Sequence, residues 1–173
     1  RFLRQLWEAR DKTSASLGTL GVQSRVFNRY GSLTTPDPVK LHAELADLAA
    51  AGVTHLALEA SSHGLHQYRM DGVKIGAAGF TNLSRDHLDY HGTMEDYFAA
   101  KARLFSEVLT QDGAAVINAD NREGQKLIEM SKARGVRVID YGHNAKALQI
   151  TDLNAIPEGF RLSVSYNGMN YPL

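Results

Sequence analysis

The chain has 173 residues, 43% of them hydrophobic and 22% charged, with 19 Lys plus Arg against 19 Asp plus Glu and no cysteine. That length suits one domain with a single good core, and the composition is that of an ordinary globular protein. The even charge gives no support to phosphate-driven nucleic-acid binding. The lack of cysteine excludes disulfides, thiolate metal sites and Cys nucleophiles, and no stretch approaches the roughly 20 apolar residues of a membrane span.

Phe2, Leu3, Leu6 and Trp7 have helical spacing, so the chain opens inside a helix, and its first ten residues lack the apolar core of a signal peptide. Ser16 to Gly21 reads as a short strand. Asp37 before Pro38 predicts a helix start, because Asp caps and Pro fits the first turn. Leu41, Leu45 and Leu48 mark the face of that helix and Gly52 ends it. Thr54 to Ala60 and Val73 to Thr81 read as buried strands. A polar loop follows, then a helix from about Met94, with Thr93 and Asp96 at capping-box spacing. Ala114 to Asn118 reads as strand, Arg122 to Ala133 as helix and Val136 to Tyr141 as strand. The alternation predicts a single α/β domain with a mainly parallel central sheet flanked by helices. Phe160, Leu162, Val164 and Tyr166 alternate before the turn pair Asn167-Gly168, which predicts an antiparallel extension after about residue 147. Neither end reads as a natural domain boundary.

Ligands of open α/β sheets bind at the carboxyl ends of strands. Two polar clusters fall there: Glu59-Ala60-Ser61-Ser62-His63-Gly64, and Thr81-Asn82-Leu83-Ser84-Arg85-Asp86-His87-Leu88-Asp89-Tyr90-His91. A shared sheet edge is expected to bring them near each other. Glu59, closing an apolar strand, suits a metal ligand or general base; it equally suits capping the next helix or pairing with Arg69. His87, Asp89 and His91 would lie on one side of an extended loop, a weak metal pattern. His42, His55, His63, His66 and His143 read as surface or helix-end residues. At about 100° per residue, Tyr97, Phe98, Leu104, Phe105 and Val108 form one apolar face with Lys101 at its centre. A lysine there is costly unless paired or neutralised, and pattern alone favours one that snorkels to the rim.

The segments Leu58 to Leu65, Phe80 to Gly92 and Tyr97 to Lys101, with Thr34-Thr35-Pro36 and Val116 to Asp120 in the expected order, resemble the consecutive signatures of the Mur ligases, specifically their MurE branch. The resemblance covers roughly residues 15 to 145. It implies the central, ATP-handling domain of a P-loop-NTPase-like enzyme of peptidoglycan precursor synthesis. ATP would phosphorylate the D-glutamyl carboxylate of UDP-N-acetylmuramoyl-L-alanyl-D-glutamate, and the amine of a diamino acid, meso-diaminopimelate in preference to L-lysine although the sequence does not decide between them, would then displace phosphate. By resemblance Glu59 and His87 are Mg2+ ligands and Lys101 is carbamylated and metal-binding, which reverses the reading from pattern. Thr34, Thr35, Ser61, Gln67 and Arg69 match positions that hold the nucleotide-sugar dipeptide. Leu33 stands where some relatives carry Asn, and Asn121 where many carry a second Asp. The resemblance also implies a cytoplasmic monomer that binds neither nucleic acid nor membrane. The glycine-rich phosphate loop, a uridine-binding domain and an amino-acid-binding domain would lie outside this sequence, and the chain alone is expected to be inactive. The competing readings are another ligase of the Mur or folylpolyglutamate type, a metal-dependent hydrolase built on Glu59, His87, Asp89 and His91, and a non-catalytic nucleotide-sugar module.

Overall fold

A computed structural model describes residues 1–173 as two compact units, Arg1–Val73 and Lys74–Leu173. The first contains α1 (Phe2–Glu8), β1 (Ser14–Gly18), β2 (Gly21–Ser24), α2 (Pro38–Ala50), β3 (His55–Leu58) and α3 (Ser62–His66). β1 pairs antiparallel with β2, with Gly18 opposite Gly21, and parallel with β3. The run expected to be one strand is therefore a hairpin: Thr19 and Leu20 form its two-residue turn, and Gly21 takes a φ of 74°. Asp37 caps α2 by accepting from the Lys40 amide at 3.0 Å, with Pro38 in the first turn. The buried stripe of α2 runs through Leu41, Glu44 and Leu48, while Leu45 is half-buried; spacings of three and four both suit one face, so the leucine pattern alone did not fix the stripe. Ala15, Leu17, Val22, Leu41, Leu48, Leu65 and Met70 make the core of this unit.

The second unit contains β4 (Ile75–Phe80), α4 (Leu88–His91), α5 (Met94–Arg103), a π-helical turn (Leu104–Val108), β5 (Leu109–Asn118), α6 (Arg122–Ala133), β6 (Arg137–Gly142), β7 (Leu148–Ile156), β8 (Gly159–Tyr166) and β9 (Met169–Pro172). Its six-stranded sheet follows chain order from β4 to β9. The β4–β5, β5–β6 and β6–β7 pairs are parallel; β7, β8 and β9 form the antiparallel extension. The fold class is thus mixed α/β with a mostly parallel sheet and an antiparallel strand group, as expected. The division into two sheets was not expected: β-α alternation identifies parallel strands but carries no statement of which strands are neighbours.

Side chains fix where the helices start. Thr93 accepts from the Asp96 amide at 3.1 Å and donates to the Asp96 carboxylate at 2.6 Å, which sets the first turn of α5 and so the phase of Lys101. Asn121 caps α6 by accepting from the Gly124 amide at 2.7 Å, so at this position asparagine does the capping that aspartate does elsewhere. The guanidinium of Arg134 donates to the carbonyls of Phe105 and Leu109, on either side of the π turn's end.

The short link from β6 to β7 is held by two carboxylates at the carboxyl end of the sheet. Asp120 accepts from the amides of His143 and Asn144 at 2.9 and 2.8 Å and from the Asn144 side chain at 3.1 Å; Asp140 accepts from the amides of Lys146 and Ala147. Slight burial pushes the Asp120 pKa up, but the amide bonds from Asn144 and His143, the positive character of His143 and the Asn144 side-chain bond outweigh it, and the group lies below its ordinary value. A depressed carboxylate contributes its full stability above the ordinary value and loses it as pH falls through the lowered one. The amide resonances of His143 and Asn144 should therefore titrate with a midpoint below the usual aspartate range. A midpoint at or above that range would remove Asp120 as the anchor of the link.

Candidate functional site

In the first unit, β1 and β3 run parallel and end at Gly18 and Leu58, and the polar residues stand just beyond them. Glu59 follows β3 directly. One of its carboxylate oxygens, Oε2, accepts from the Thr19 amide at 3.3 Å and from the Thr19 hydroxyl at 3.4 Å. The same hydroxyl lies 3.1 Å from that of Thr34. A cavity of about 580 Å3 opens here, with Gly18, Thr19 and Glu59 in its lining.

Thr35 is completely buried. Its hydroxyl donates to the Glu59 carbonyl at 2.9 Å and accepts from the Ser61 amide and hydroxyl, both at 3.0 Å. One donor and two acceptor sites are all that a hydroxyl has, so this side chain is saturated within the protein. What Thr35 offers a ligand is the placement of its neighbours. Ser61 in turn caps α3 by accepting from the Gly64 amide at 3.0 Å. Gly64 is needed for this packing: a Cβ there would meet the Thr35 Cβ at 2.6 Å. The guanidinium of Arg69 donates to the Thr35 carbonyl at 2.8 Å and forks onto the Gln67 side-chain oxygen from Nε and Nη2. Thr34, Thr35, Ser61, Gln67 and Arg69, drawn from the sequence as a set, are thus tied together on one side of β3, with Arg69 braced by three of its five N–H groups. Arg69 makes no pair with Glu59 in this network.

In the second unit, His87, Tyr97 and Lys101 come together. His87 adopts a left-handed backbone with φ 53°, and its amide donates to the Asp86 carboxylate at 2.8 Å. Its ring meets the Tyr97 ring edge-on at 5.9 Å between centroids. The half-buried Lys101 sets its Nζ 5.2 Å from the centre of the same ring, one helical turn along α5. His91 stacks on Tyr97 at 5.2 Å and 26°. Burial first, and the charge of Asp86 second, raise the Tyr97 pKa, so its hydroxyl stays protonated at neutral pH. The sequence treated Tyr97 only as part of an apolar face; its position four residues before Lys101 was the signal that it sits under that side chain.

The expected extended loop through His87, Asp89 and His91 is instead a short helix, α4, with His87 at its N-cap. Residues two apart on a helix diverge by about 200°, so alternation no longer puts Asp89 and His91 on one side. These residues do not converge into a three-ligand metal cage. The hydrolase alternative loses its structural support there. Glu59 suits a hard cation better: both its bonds fall on Oε2, and the other oxygen keeps its full ligating capacity. The amine of Lys101 cannot ligate a cation while protonated, but a carbamate there would supply oxygens.

Parallel strands ending at a carboxylate, clustered hydroxyls and a braced guanidinium make up the polar edge of the first unit. The chain belongs to the Mur ligase middle domain family, whose profile matches residues 1–173. It is 49% identical, over 98% of its length, to the UDP-N-acetylmuramoyl-L-alanyl-D-glutamate–2,6-diaminopimelate ligase of Bradyrhizobium diazoefficiens. It spans 36% of that relative. A solved structure of a ligase of the same name superposes on 100% of the chain and 35% of that protein, at 34% identity and a TM-score of 0.86. The MurF ligase of Thermotoga maritima, solved with ADP, shares the fold over 98% of the chain and 36% of its own, with 13% identity and a TM-score of 0.63.

If the saturated Thr35 hydroxyl organises the first polar edge, Thr35→Val should destabilise the protein by about 1–3 kcal/mol, the penalty for leaving its buried partners unpaired. Chemical denaturation measures this. A variant as stable as the parent would show that the Glu59–Ser61 segment keeps its form without Thr35.

Proposed function

We propose that this chain is the central domain of an ATP-dependent ligase that joins a diamino acid, meso-diaminopimelate in preference to L-lysine, to UDP-N-acetylmuramoyl-L-alanyl-D-glutamate. The observation that carries this reading is the 49% identity, over 98% of the chain, to a ligase of that name. ATP phosphorylates the D-glutamyl carboxylate, the incoming amine attacks the acyl phosphate, and phosphate leaves. Two anions must approach each other in the first step, so fixed cations and oriented donors are what the protein has to supply. The whole protein acts as a cytoplasmic monomer.

In this reading Thr34, Ser61, Gln67 and Arg69 hold the nucleotide-sugar dipeptide, and Thr35 keeps them in place. Arg69 suits an anion because two of its N–H groups remain after those used by Thr35 and Gln67, and its brace removes much of the flexibility that binding would otherwise have to quench. Glu59, His87 and Lys101 are each magnesium-binding; bound magnesium supplies charge screening of the triphosphate. Glu59 brings the oxygen that magnesium prefers, while His87 is assigned by resemblance. The neutral Lys101 amine adds to carbon dioxide and releases a proton, which turns a cation over the Tyr97 ring into an anion with two oxygens. His91 and Tyr97 set the position of that group through their stack.

In the full-length protein, Lys101→Ala should abolish most ligase activity, and acetate or formate should restore part of it by occupying the vacated anion position. Wild-type turnover in that variant would return Lys101 to the role of a snorkelling surface lysine.

Arg69→Ala should raise the Michaelis constant for the nucleotide-sugar dipeptide. Loss of a charge-assisted contact corresponds to about 1.5–3 kcal/mol, roughly a tenfold to hundredfold change. An unaltered Michaelis constant would separate Arg69 from the substrate.

A further inference from the structure

Thr19 is the residue in contact with both Glu59 and Thr34, and neither the sequence motifs nor the relatives' names mark it. It occupies the first turn position of the β1–β2 hairpin. Its backbone amide and hydroxyl both reach Glu59 Oε2, at 3.3 and 3.4 Å, while the hydroxyl also lies 3.1 Å from the Thr34 hydroxyl. Gly18 beside it is equally specific. A Cβ at position 18 would sit 2.5 Å from Glu59 Oε2 and 3.0 Å from Glu59 Cβ, so only glycine leaves room for the carboxylate to lie against the hairpin.

We propose that Thr19 is a positioning residue for the ligase reaction: it fixes the Glu59 carboxylate by one oxygen, presents the other to the cation, and ties that carboxylate to the substrate-holding Thr34. This rests on the proposed role of Glu59. A carboxylate at a strand end rotates freely about its last bonds unless something holds it. Two donors on one oxygen stop that rotation without consuming the second oxygen, which is how groups behind a ligand tune metal affinity. The shared hydroxyl makes the position of Thr34 depend on the same contact.

The test uses the full-length ligase and Mn2+, whose free ion is counted by electron paramagnetic resonance, alongside steady-state kinetics and thermal melting. Thr19→Val keeps the backbone N–H and removes the hydroxyl; Thr19→Ser keeps both. Thr19→Val should weaken Mn2+ binding by about 10–100-fold, with a similar loss of turnover, and Thr19→Ser should bind as the parent does. Because the effect is transmitted through Glu59, Thr19→Val added to Glu59→Ala should weaken Mn2+ no further than Glu59→Ala alone. Gly18→Ala should act in the same direction as Thr19→Val. Parental Mn2+ affinity in Thr19→Val, with Glu59→Ala impaired, overturns this proposal and leaves the role of Glu59 intact. So does an equal loss from Thr19→Val with and without Glu59, which is what a purely structural hydroxyl would give. Parental Mn2+ affinity in Glu59→Ala overturns the role of Glu59 itself and this proposal with it.

Discussion

The polar edge of the first unit depends on one buried hydroxyl. Thr35 is enclosed and has no hydrogen-bonding capacity left over. Because its donor goes to the Glu59 carbonyl and its acceptors face Ser61, the backbone from residue 59 to 61 has one arrangement rather than several. Glu59 then leaves the strand in a direction the hairpin can meet, Ser61 starts α3, and Arg69 finds a carbonyl to brace against. Removing a partner from such a network strands buried polar groups, which is why these residues stand or fall together.

The second unit solves a different problem. Lysine and two histidines are gathered around one tyrosine ring, with the Asp86 carboxylate beside His87. A tyrosine face attracts an ammonium but offers it no hydrogen-bond acceptor. The left-handed backbone of His87, uncommon for a side chain with a Cβ, is a local strain of the kind that surrounding contacts must hold in place.

Much of this was written in short-range chemistry. Asp37-Pro38 and Thr93 with Asp96 marked two helix starts because capping is decided within four residues. Asn167-Gly168 marked the last hairpin for the same reason, and the hydrogen-bonded set around Arg69 was named by resemblance. What escaped depends on partners distant in sequence. The hairpin at Thr19-Leu20 was hidden because neither turn residue is one of the Asn, Asp or Gly that mark a two-residue turn. Tyr97 was legible as core, where it is buried, but not as the ring that His87, His91 and Lys101 share. The split into two sheets rests on pairing between strands, about which periodicity is silent.

The π-helical turn at Leu104–Val108 has a consequence for how this site tolerates change. It accommodates one residue more than an α-helical turn would over the same rise. It therefore works as a gear between α5, which carries Tyr97 and Lys101 together, and β5, whose register is locked by its two parallel neighbours. Deleting a single residue there would let the helix run on smoothly, yet swing every upstream side chain by about 100° relative to the sheet. Side-chain identity in this segment is negotiable so long as Leu104 and Phe105 still fill the core; its length is not.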